Sequence, residues 1–331
     1  MVSVELVNSV AFDCLEGQTI LESGRKQGVV LEHSCRTGRC GICKVRVIRG
    51  DTRVETPEQS LGEIEANEGY ILTCCRSAVS DIKLDATDLG RLAHLKVLTL
   101  PARIDSLTKL ADDALEVVLR TPPARSFDFL AGQYIDVIGP GGMRRSYSIA
   151  NAPREDGRIT LHIRKVYGGE MSAYWFDQAK QNDLLRFEGP MGTFCLREAP
   201  ARHLVLLATG TGIAPVKAIL EELQANLDAC GFEHVHLYWG GRHSSDLYWQ
   251  PDILGLPIKY TPVLSREPSW GGRIGYIQDS VLSDALPLDN AVVYACGSEA
   301  MIHGAKDALL EAGLSAGNFF SDAFVQSGGQ G

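Results

Sequence analysis

Nine residues, Cys35-Arg-Thr-Gly-Arg-Cys-Gly-Ile-Cys43, limit what this chain can fold into more than any other stretch. Three thiols at C-x4-C-x2-C spacing have the pattern of a plant-type iron–sulfur loop, which takes a fourth thiolate from farther along the chain. Such a loop brings backbone N–H groups against inorganic sulfide, so glycine is useful where the chain passes close to the ligand. Gly38 and Gly41 hold such positions. A structural zinc site is the competing reading, but zinc ligands usually come as two matched C-x2-4-C halves. Here Cys35, Cys40 and Cys43 are bunched and the fourth ligand is remote. Ile71-Leu-Thr-Cys-Cys75 offers two adjacent thiols for that place, and neighbouring side chains of an extended segment point in opposite directions, so only one can serve.

The remaining cysteines bear on the compartment. Nine in all, an odd number grouped around a metal-type loop, argue for a reducing environment rather than a disulfide framework. Cys14, Cys195 and Cys230 read as small core residues. With 32 basic and 41 acidic residues the net charge is −9, which opposes nucleic-acid binding. No run of eighteen apolar residues exists to span a membrane, and Met-Val-Ser-Val-Glu shows no basic region leading into an apolar core. A cytoplasmic protein is the expectation. At 331 residues and 45% hydrophobic content, two or three globular domains are expected.

In chain order, residues 2–12 alternate apolar and polar positions (Val2, Val4, Leu6), as a half-buried strand would. Thr19 to Gln27 reads as a short helix, with Thr19 as its cap and Gly28 ending it. After the thiol loop comes a strand through Val45, Val47 and Ile48. Arg36 and Arg39 are expected to be solvated or to face an acidic partner, and His33 to be solvated. Short strands around one helix with a long metal loop fit the ferredoxin β-grasp. Leu72-Thr-Cys74 followed by Ser80-Asp81 resembles the end of a plant-type ferredoxin domain, a resemblance covering residues 1 to about 86. That register implies Cys74, with Cys75 packing elsewhere.

Between Asp85 and Lys96 the pattern loosens into a linker. Beyond it, β-rich runs at Ala114–Arg120, Tyr134–Ile138, Arg145–Ile149 and Arg158–Val166 are separated by Pro, Gly and Asp turns, which predicts an antiparallel barrel. Arg145-Ser-Tyr-Ser148 and Gly168-Gly-Glu-Met-Ser172 carry its chemistry. Arg145 supplies a permanent cation for a pyrophosphate. Gly169 and Ser172 offer clearance and a hydroxyl at the start of a helix. Tyr147 suits the face of a flavin ring and Ser148 its reactive edge.

From about Pro200, strands alternate with helices. His203–Thr209 is a buried-type strand, and Ile213, Val216, Ile219, Leu220, Leu223 and Leu227 mark one helical face. Further strands at Val235–Trp239, Ile258–Leu264 and Val292–Ala295, with helices near Ile277–Leu286 and Ala300–Ala312, predict a doubly wound parallel sheet. Ala208-Thr-Gly-Thr-Gly-Ile-Ala-Pro215 lies between a strand and a helix, where Gly210 and Gly212 let the backbone approach phosphate. Ala295-Cys-Gly-Ser298 with Met301 holds the corresponding place at the end of another strand, where Cys296 reads either as a core thiol or as a group beside a nicotinamide ring. Asp246 is expected at the adenosine ribose, accepting from its hydroxyls and repelling a 2′-phosphate, with Arg242 pulling the other way and Ser244 or Ser245 also able to meet a phosphate.

Leu130-Ala-Gly-Gln-Tyr-Ile-Asp136, Arg144-Arg-Ser-Tyr-Ser-Ile-Ala-Asn-Ala-Pro153, Val293-Tyr-Ala-Cys-Gly-Ser298 and Phe319-Phe-Ser-Asp-Ala-Phe324 resemble the ferredoxin–NADP reductase superfamily over residues 97–326. With the N-terminal ferredoxin, the chain resembles the fused iron–sulfur flavoprotein reductases, and within them the CDP-6-deoxy-Δ3,4-glucoseen reductase group. The resemblance implies three domains: a 2Fe–2S ferredoxin at 1–88, an FAD barrel at 97–199 and an NAD(P)H domain at 200–331. It implies FAD on Arg145, Tyr147, Ser148, His162, Ile163, Arg164, Gly169, Met171 and Ser172. It implies the dinucleotide on Gly210, Thr211, Gly212, Cys296, Gly297 and Met301, and Phe324 as the aromatic cover of the flavin.

A nicotinamide gives two electrons as hydride and a 2Fe–2S cluster takes one, so the flavin belongs between them. The expected path is NAD(P)H to FAD to cluster to an outside protein, with NADH preferred and NADPH possible. The expected acceptor is a pyridoxamine-phosphate-dependent sugar dehydrase, with a Rieske-type oxygenase as the alternative. The reading from another class is a zinc-bearing scaffold or redox sensor without turnover.

Overall fold

The structure is a computed structural model that describes residues 1–123, 125–197, 200–226, 231–251 and 255–324. The expectations for Leu227 and Cys230 lie outside them. Two compact units emerge, Met1–Lys96 together with the segment from Ala323, and Val97–Asp322.

In the first unit, alternation buries Val4 and Leu6 of β1 (Val2–Leu6) and Phe12 and Cys14 of β2 (Ala11–Cys14). The expected single strand through residue 12 is instead this antiparallel hairpin. Asn8-Ser9 turns the chain, with Ser9 at φ +64° and the Leu6 amide donating to Val10 O at 2.8 Å. Helix α1 (Ile20–Lys26) starts at Thr19, whose Oγ1 accepts from the Glu22 amide while the Glu22 carboxylate accepts from the Thr19 amide. That reciprocal cap explains why a helix this short forms here. The unit continues with β3 (Lys44–Arg49), β4 (Thr52–Val54), α2 (Glu63–Asn67), β5 (Tyr70–Leu72), β6 (Arg76–Ala78) and β7 (Ile82–Leu84). The main sheet runs β2-β1-β7-β3-β5, and β4 pairs separately with β6. Residues 85–96 are more than a tether. Asp88 accepts from the Val30 amide at 2.8 Å, the Leu89 amide donates to Val30 O, and Leu92 is buried.

In the second unit, β8 (Leu98–Ala111), β9 (Ala114–Arg120), β10 (Tyr134–Ile138), β11 (Arg144–Ser148), β12 (Arg158–Arg164) and β13 (Leu184–Met191) form an antiparallel sheet ordered β11-β10-β13-β8-β9-β12. An Ile149–Leu161 bridge joins its two edges, closing a barrel. α3 (Glu170–Ala173), continued by a wider turn at Tyr174–Gln178, buries Met171, Tyr174 and Trp175 in the barrel core.

The rest of this unit comprises β14 (His203–Thr209), α4 (Ile213–Ala225), β15 (His234–Gly241), β16 (Ile258–Leu264), β17 (Arg273–Ile274), α5 (Ile277–Ser283), β18 (Ala291–Gly297), α6 (Glu299–Glu311) and β19 (Phe319–Ala323). Its sheet order is β17-β16-β15-β14-β18-β19, with β17 through β18 parallel. The chain steps outward from β14 on one side and returns to β18 on the other, so the ligand crevice of such a sheet falls between these two strands. α4 is fastened to the barrel: Lys217 Nζ donates to Ala150 O at 3.0 Å, and Glu221 accepts from the Ala152 amide and Arg154, each at 3.1 Å.

Three histidines meet at the opposite end of this sheet. His203 Nδ1 lies 3.3 Å from His236 Nε2, and the His203 and His234 rings stack at 4.8 Å. Burial, with help from the neighbouring His203, pushes buried His236 down to about 4, and His203 moves the same way, first through burial. An unfolded histidine takes a proton near pH 6.5. Between there and pH 4 the unfolded chain therefore binds more protons, and stability falls as pH falls. Thermal melting should show Tm dropping by several degrees from pH 7 to pH 5, and His236→Asn should flatten that limb.

Candidate redox centre and nucleotide crevice

The four thiols form two pairs. Cys35 and Cys40 hydrogen-bond each other, and the Cys40 amide donates to Cys35 Sγ at 3.4 Å. Cys43 and Cys74 stand 3.3 Å apart, sulfur to sulfur. In each pair the neighbour's S–H lowers one thiol, Cys35 or Cys43, and its partner, Cys40 or Cys74, is correspondingly raised. The Thr37 amide also donates to Cys35 Sγ, at 3.4 Å. Among the described residues no three such side chains converge on one point. A cavity of about 260 Å³ opens beside the loop, lined in part by Cys35, Cys74, His33 and Arg36. Cys75 does not line it; its Sγ lies 3.7 Å from Pro57 O and 3.5 Å from Cys74 Sγ, because residues 73–75 form a turn rather than the expected extended segment, so the two side chains do not point in opposite directions.

The segment around residues 55–61 braces the loop. A β-carbon on Gly38, where φ is +75°, would stand 2.4 Å from Pro57 O and 2.7 Å from Cys75 Sγ. The Ser60 amide and hydroxyl both donate to Gly38 O, at 3.0 and 3.2 Å. Glu58 accepts from the Leu72 amide at 2.7 Å and from Arg76 at 2.9 and 2.7 Å. Sequence reading missed this brace, because a lone Glu and a lone Arg eighteen positions apart leave no periodic signal.

Three expectations for the loop are corrected. His33 is buried, not solvated, with Nδ1 2.9 Å from Leu31 O. Burial, with Arg36 and Arg25 nearby, lowers it to about 4, so the ring is neutral at physiological pH. Its turn faces inward, and Leu31 and Ser34 are buried beside it. Arg36 is half-buried at φ +58°, and Arg39 donates Nε to Gln59 at 3.1 Å.

On the barrel, Arg144 and Arg145 divide. Arg144 pairs with Glu188 and Asp136, whereas Arg145 is exposed, donates to Arg144 O at 2.7 Å, and meets no carboxylate among the described residues. Tyr147 is half-buried, its hydroxyl accepting from Trp175 Nε1 at 3.0 Å, and burial raises it to about 12. Ser148 is buried opposite Tyr134. Ile163 and Met171 lie in the barrel core. Ser172 Oγ accepts from the Val166 amide at 2.9 Å, and Gly169 caps α3. His162 bridges Tyr248 (3.3 Å) and Glu116 (3.7 Å). Arg164 donates to Asp113 at 3.0 and 2.8 Å and lies 3.5 Å from Asp246, so its guanidinium joins barrel to parallel sheet.

The crevice between β14 and β18 is shaped by glycine. A β-carbon on Gly212 would stand 2.2 Å from Cys296 O, which forbids any other residue there. Gly210 (φ +54°) and Thr211 precede it, with Gly297 and Met301 at the end of β18 and in α6. Cys296 takes the core reading, and Asp246 departs from its expectation. The Cys296 thiol has no exposed surface, and burial together with Asp322 pushes its pKa far up, so it is a neutral core group. Asp246 is turned onto its own loop: Oδ2 accepts from the Arg242 amide and Nε and the His243 amide, at 2.8, 3.3 and 3.3 Å. Only 10% of its side chain is exposed, because it closes the turn after β15. Phe324 is half-buried and groups with the first unit.

Residues 5–79 match the 2Fe-2S iron-sulfur cluster binding domain, 101–195 the oxidoreductase FAD-binding domain and 206–307 the oxidoreductase NAD-binding domain. Over 315 residues the chain is 43% identical to the CDP-6-deoxy-L-threo-D-glycero-4-hexulose-3-dehydrase reductase of Yersinia pestis, covering 93% of this chain and 94% of that one. It is 32% identical over 325 residues to reductase component 2 of the terephthalate 1,2-dioxygenase of Comamonas sp, covering 96% and 95%. Amycolatopsis cytochrome P450 reductase GcoB has a similar solved structure, with TM-score 0.78 and 30% identity over 98% of this chain and 99% of that one. The chain belongs to the fused 2Fe–2S ferredoxin reductase family. It is an NAD(P)H-dependent oxidoreductase that uses FAD and a 2Fe–2S cluster to transfer electrons. No helix among the described residues is long and apolar enough to cross a membrane.

Gly38→Ala tests the brace. The added carbon overlaps Pro57 O and the backbone is left-handed, so the loop has to shift. Iron and labile sulfide per chain should fall to a small fraction of the wild-type value, while FAD content stays unchanged.

Proposed function

We propose that this chain delivers electrons to a pyridoxamine-phosphate-dependent dehydrase acting on a nucleotide-linked deoxysugar. The observation that carries this reading is the 43% identity to a dehydrase reductase across nearly the whole of both chains, against 32% for the terephthalate dioxygenase component. Purified with each candidate partner, the protein should couple NADH oxidation to sugar deoxygenation by the dehydrase. Efficient coupling to a Rieske oxygenase, and none to the dehydrase, would overturn the assignment. The domain limits in this reading are 1–88, 97–199 and 200–331, and the setting is cytoplasmic, where thiols stay reduced.

Cys35, Cys40, Cys43 and Cys74 hold the cluster. Two thiol pairs suit two iron atoms, whereas a single zinc needs four donors around one point. Cys74 is favoured over Cys75 because it lines the cavity with Cys35, while Cys75 faces Pro57. Cys74→Ser should abolish or badly perturb the visible cluster spectrum, and Cys75→Ser should keep it. Both variants should retain FAD.

When bound, the flavin accepts hydride and releases electrons singly, matching the nicotinamide to the cluster. Arg145 holds the flavin's pyrophosphate, since its guanidinium is exposed and unmatched by a carboxylate. Tyr147 lies along the ring, fixed by Trp175, and Ser148 sits at the reactive edge. His162, Ile163, Arg164 and Met171 contribute backbone, because their side chains are engaged elsewhere; Gly169 and Ser172 complete the set. Gly210, Thr211, Gly212, Gly297 and Met301 receive the dinucleotide, and Cys296 shapes the crevice through its carbonyl. Phe324 covers the flavin face, and Phe324→Ala should change nicotinamide affinity or hydride-transfer rate without altering the cluster spectrum. NADH is the preferred coenzyme.

A further inference from the structure

We infer that Tyr248 is a positioning residue for hydride transfer, holding the turn that receives the dinucleotide at a fixed spacing from the strand that carries the flavin. The proposal rests on the reading that the coenzyme lies at Gly210–Gly212 and that β12 gives backbone to the flavin site. Hydride passes only between atoms brought to about 3–3.5 Å, and a misplacement of about 1 Å can cost roughly a hundredfold in rate. One site stands on the barrel and the other on the parallel sheet, so contacts between the two must set that spacing.

β12 turns Ile163 into the barrel core and His162 toward the parallel sheet. Glu116 stands opposite His162 on β9, with its carboxylate 3.7 Å from Nε2. A carboxylate only accepts, so Nε2 carries the proton and Nδ1 is left to accept. Tyr248 Oη, 3.3 Å from Nδ1, is the donor. His162 is buried, and that burial lowers its pKa, which favours the neutral ring this arrangement needs. On its other side Tyr248 meets the fully buried Trp239 edge to face, with ring centroids 5.2 Å apart. Trp239 Nε1 in turn donates to Gly210 O at 3.0 Å, on the phosphate turn itself. A continuous path therefore runs from Gly210 through Trp239, Tyr248 and His162 to Glu116. Lys217 to Ala150 O and Arg164 to Asp246 also join barrel and sheet, but through long side chains with many rotamers. The ring path has less slack. Tyr248 is fixed in its turn by the loop that Asp246 closes two residues earlier.

The test uses holoenzyme carrying Tyr248→Phe, which removes only the hydroxyl, Tyr248→Leu, which removes the ring, or His162→Gln, which spares the side toward Glu116. Anaerobic single-turnover mixing with NADH gives Kd and the rate constant of flavin bleaching, and 4-deuterated NADH identifies the hydride step. Tyr248→Leu should slow that step roughly thirtyfold and Tyr248→Phe several-fold, with Kd for NADH and FAD content near wild type. Tyr248→Phe and His162→Gln combined should cost no more than the larger single change, because both break one contact. In hydrogen exchange without coenzyme, amides of residues 160–164 and 209–212 should both exchange faster in Tyr248→Leu. Four results would overturn the proposal. If NAD⁺ protects neither residues 209–214 nor 297–301 of wild type from exchange, the crevice reading itself is wrong. If it protects them but Tyr248→Leu transfers hydride at the wild-type rate, another contact sets the spacing. If Kd rises while the rate constant holds, Tyr248 binds coenzyme rather than positioning it. If FAD content and melting temperature fall along with the rate even in Tyr248→Phe, the residue only supports the fold.

Discussion

The turn after β14 passes so close to the end of β18 that no side chain fits between them. Gly212 faces Cys296 O at a separation that admits hydrogen alone, and the crevice of the parallel sheet exists because of that contact. Several other features follow from it. α4 starts directly after this turn, which fixes where Lys217 and Glu221 reach the barrel. Gly210 lies against Arg164, and Arg164 joins Asp113 of the barrel to Asp246 of the loop after β15. Barrel and parallel sheet are thereby locked into one unit, as electron transfer between two groups held at fixed spacing requires.

The first unit solves the same problem of close approach with less material. Its helices are short and its strands run three to six residues, so the thiol loop cannot lean on a long element. The residue 55–61 segment carries that load instead. The Glu58–Arg76 pair sits deep enough that breaking it would strand a charge, which costs far more than a surface pair would. Pro57 O sets how near the Gly38 backbone can come. The two thiol pairs are therefore positioned by a frame that is itself mostly hydrogen bonds to backbone.

What could be read from the sequence was whatever repeats locally or demands a special residue. The cysteine spacing, the Thr19 cap, the four barrel strands between Ala114 and Arg164, and the alternation after Pro200 all belong to that class, whereas β13 does not. β8 escaped because Pro101 and two register shifts, near residues 104–106 and 109–111, break its alternation. The hairpin at residues 7–10 was read through because apolar residues happen to keep their phase across it. His33, Asp246 and Cys296 escaped for a different reason. Their roles depend on which segment comes to lie over them, and no window of neighbouring residues contains that information. Asp246 had the right residue type in the right loop, yet its carboxylate is taken up in closing the turn.

The charges around the two nucleotide positions differ in kind, and the difference suits their use. Arg145 presents a cation with no carboxylate against it among the described residues, beside an Arg144 that is fully paired. A permanent guanidinium facing a pyrophosphate gives tight, directional binding, appropriate to a cofactor retained through many turnovers. The crevice at Gly210–Gly212 instead offers backbone N–H groups and helix potential, while the nearby cations Arg164 and Arg242 are neutralised by Asp113 and Asp246. On the proposed site assignment, binding there would be correspondingly weaker and more readily reversed. A coenzyme that must arrive charged with hydride and leave after each transfer needs that reversibility. With Arg145 at the flavin's pyrophosphate and the dinucleotide at Gly210–Gly212, as proposed, pairing the cations at one position and leaving one open at the other would separate the retained group from the exchanging one, within a single compact unit.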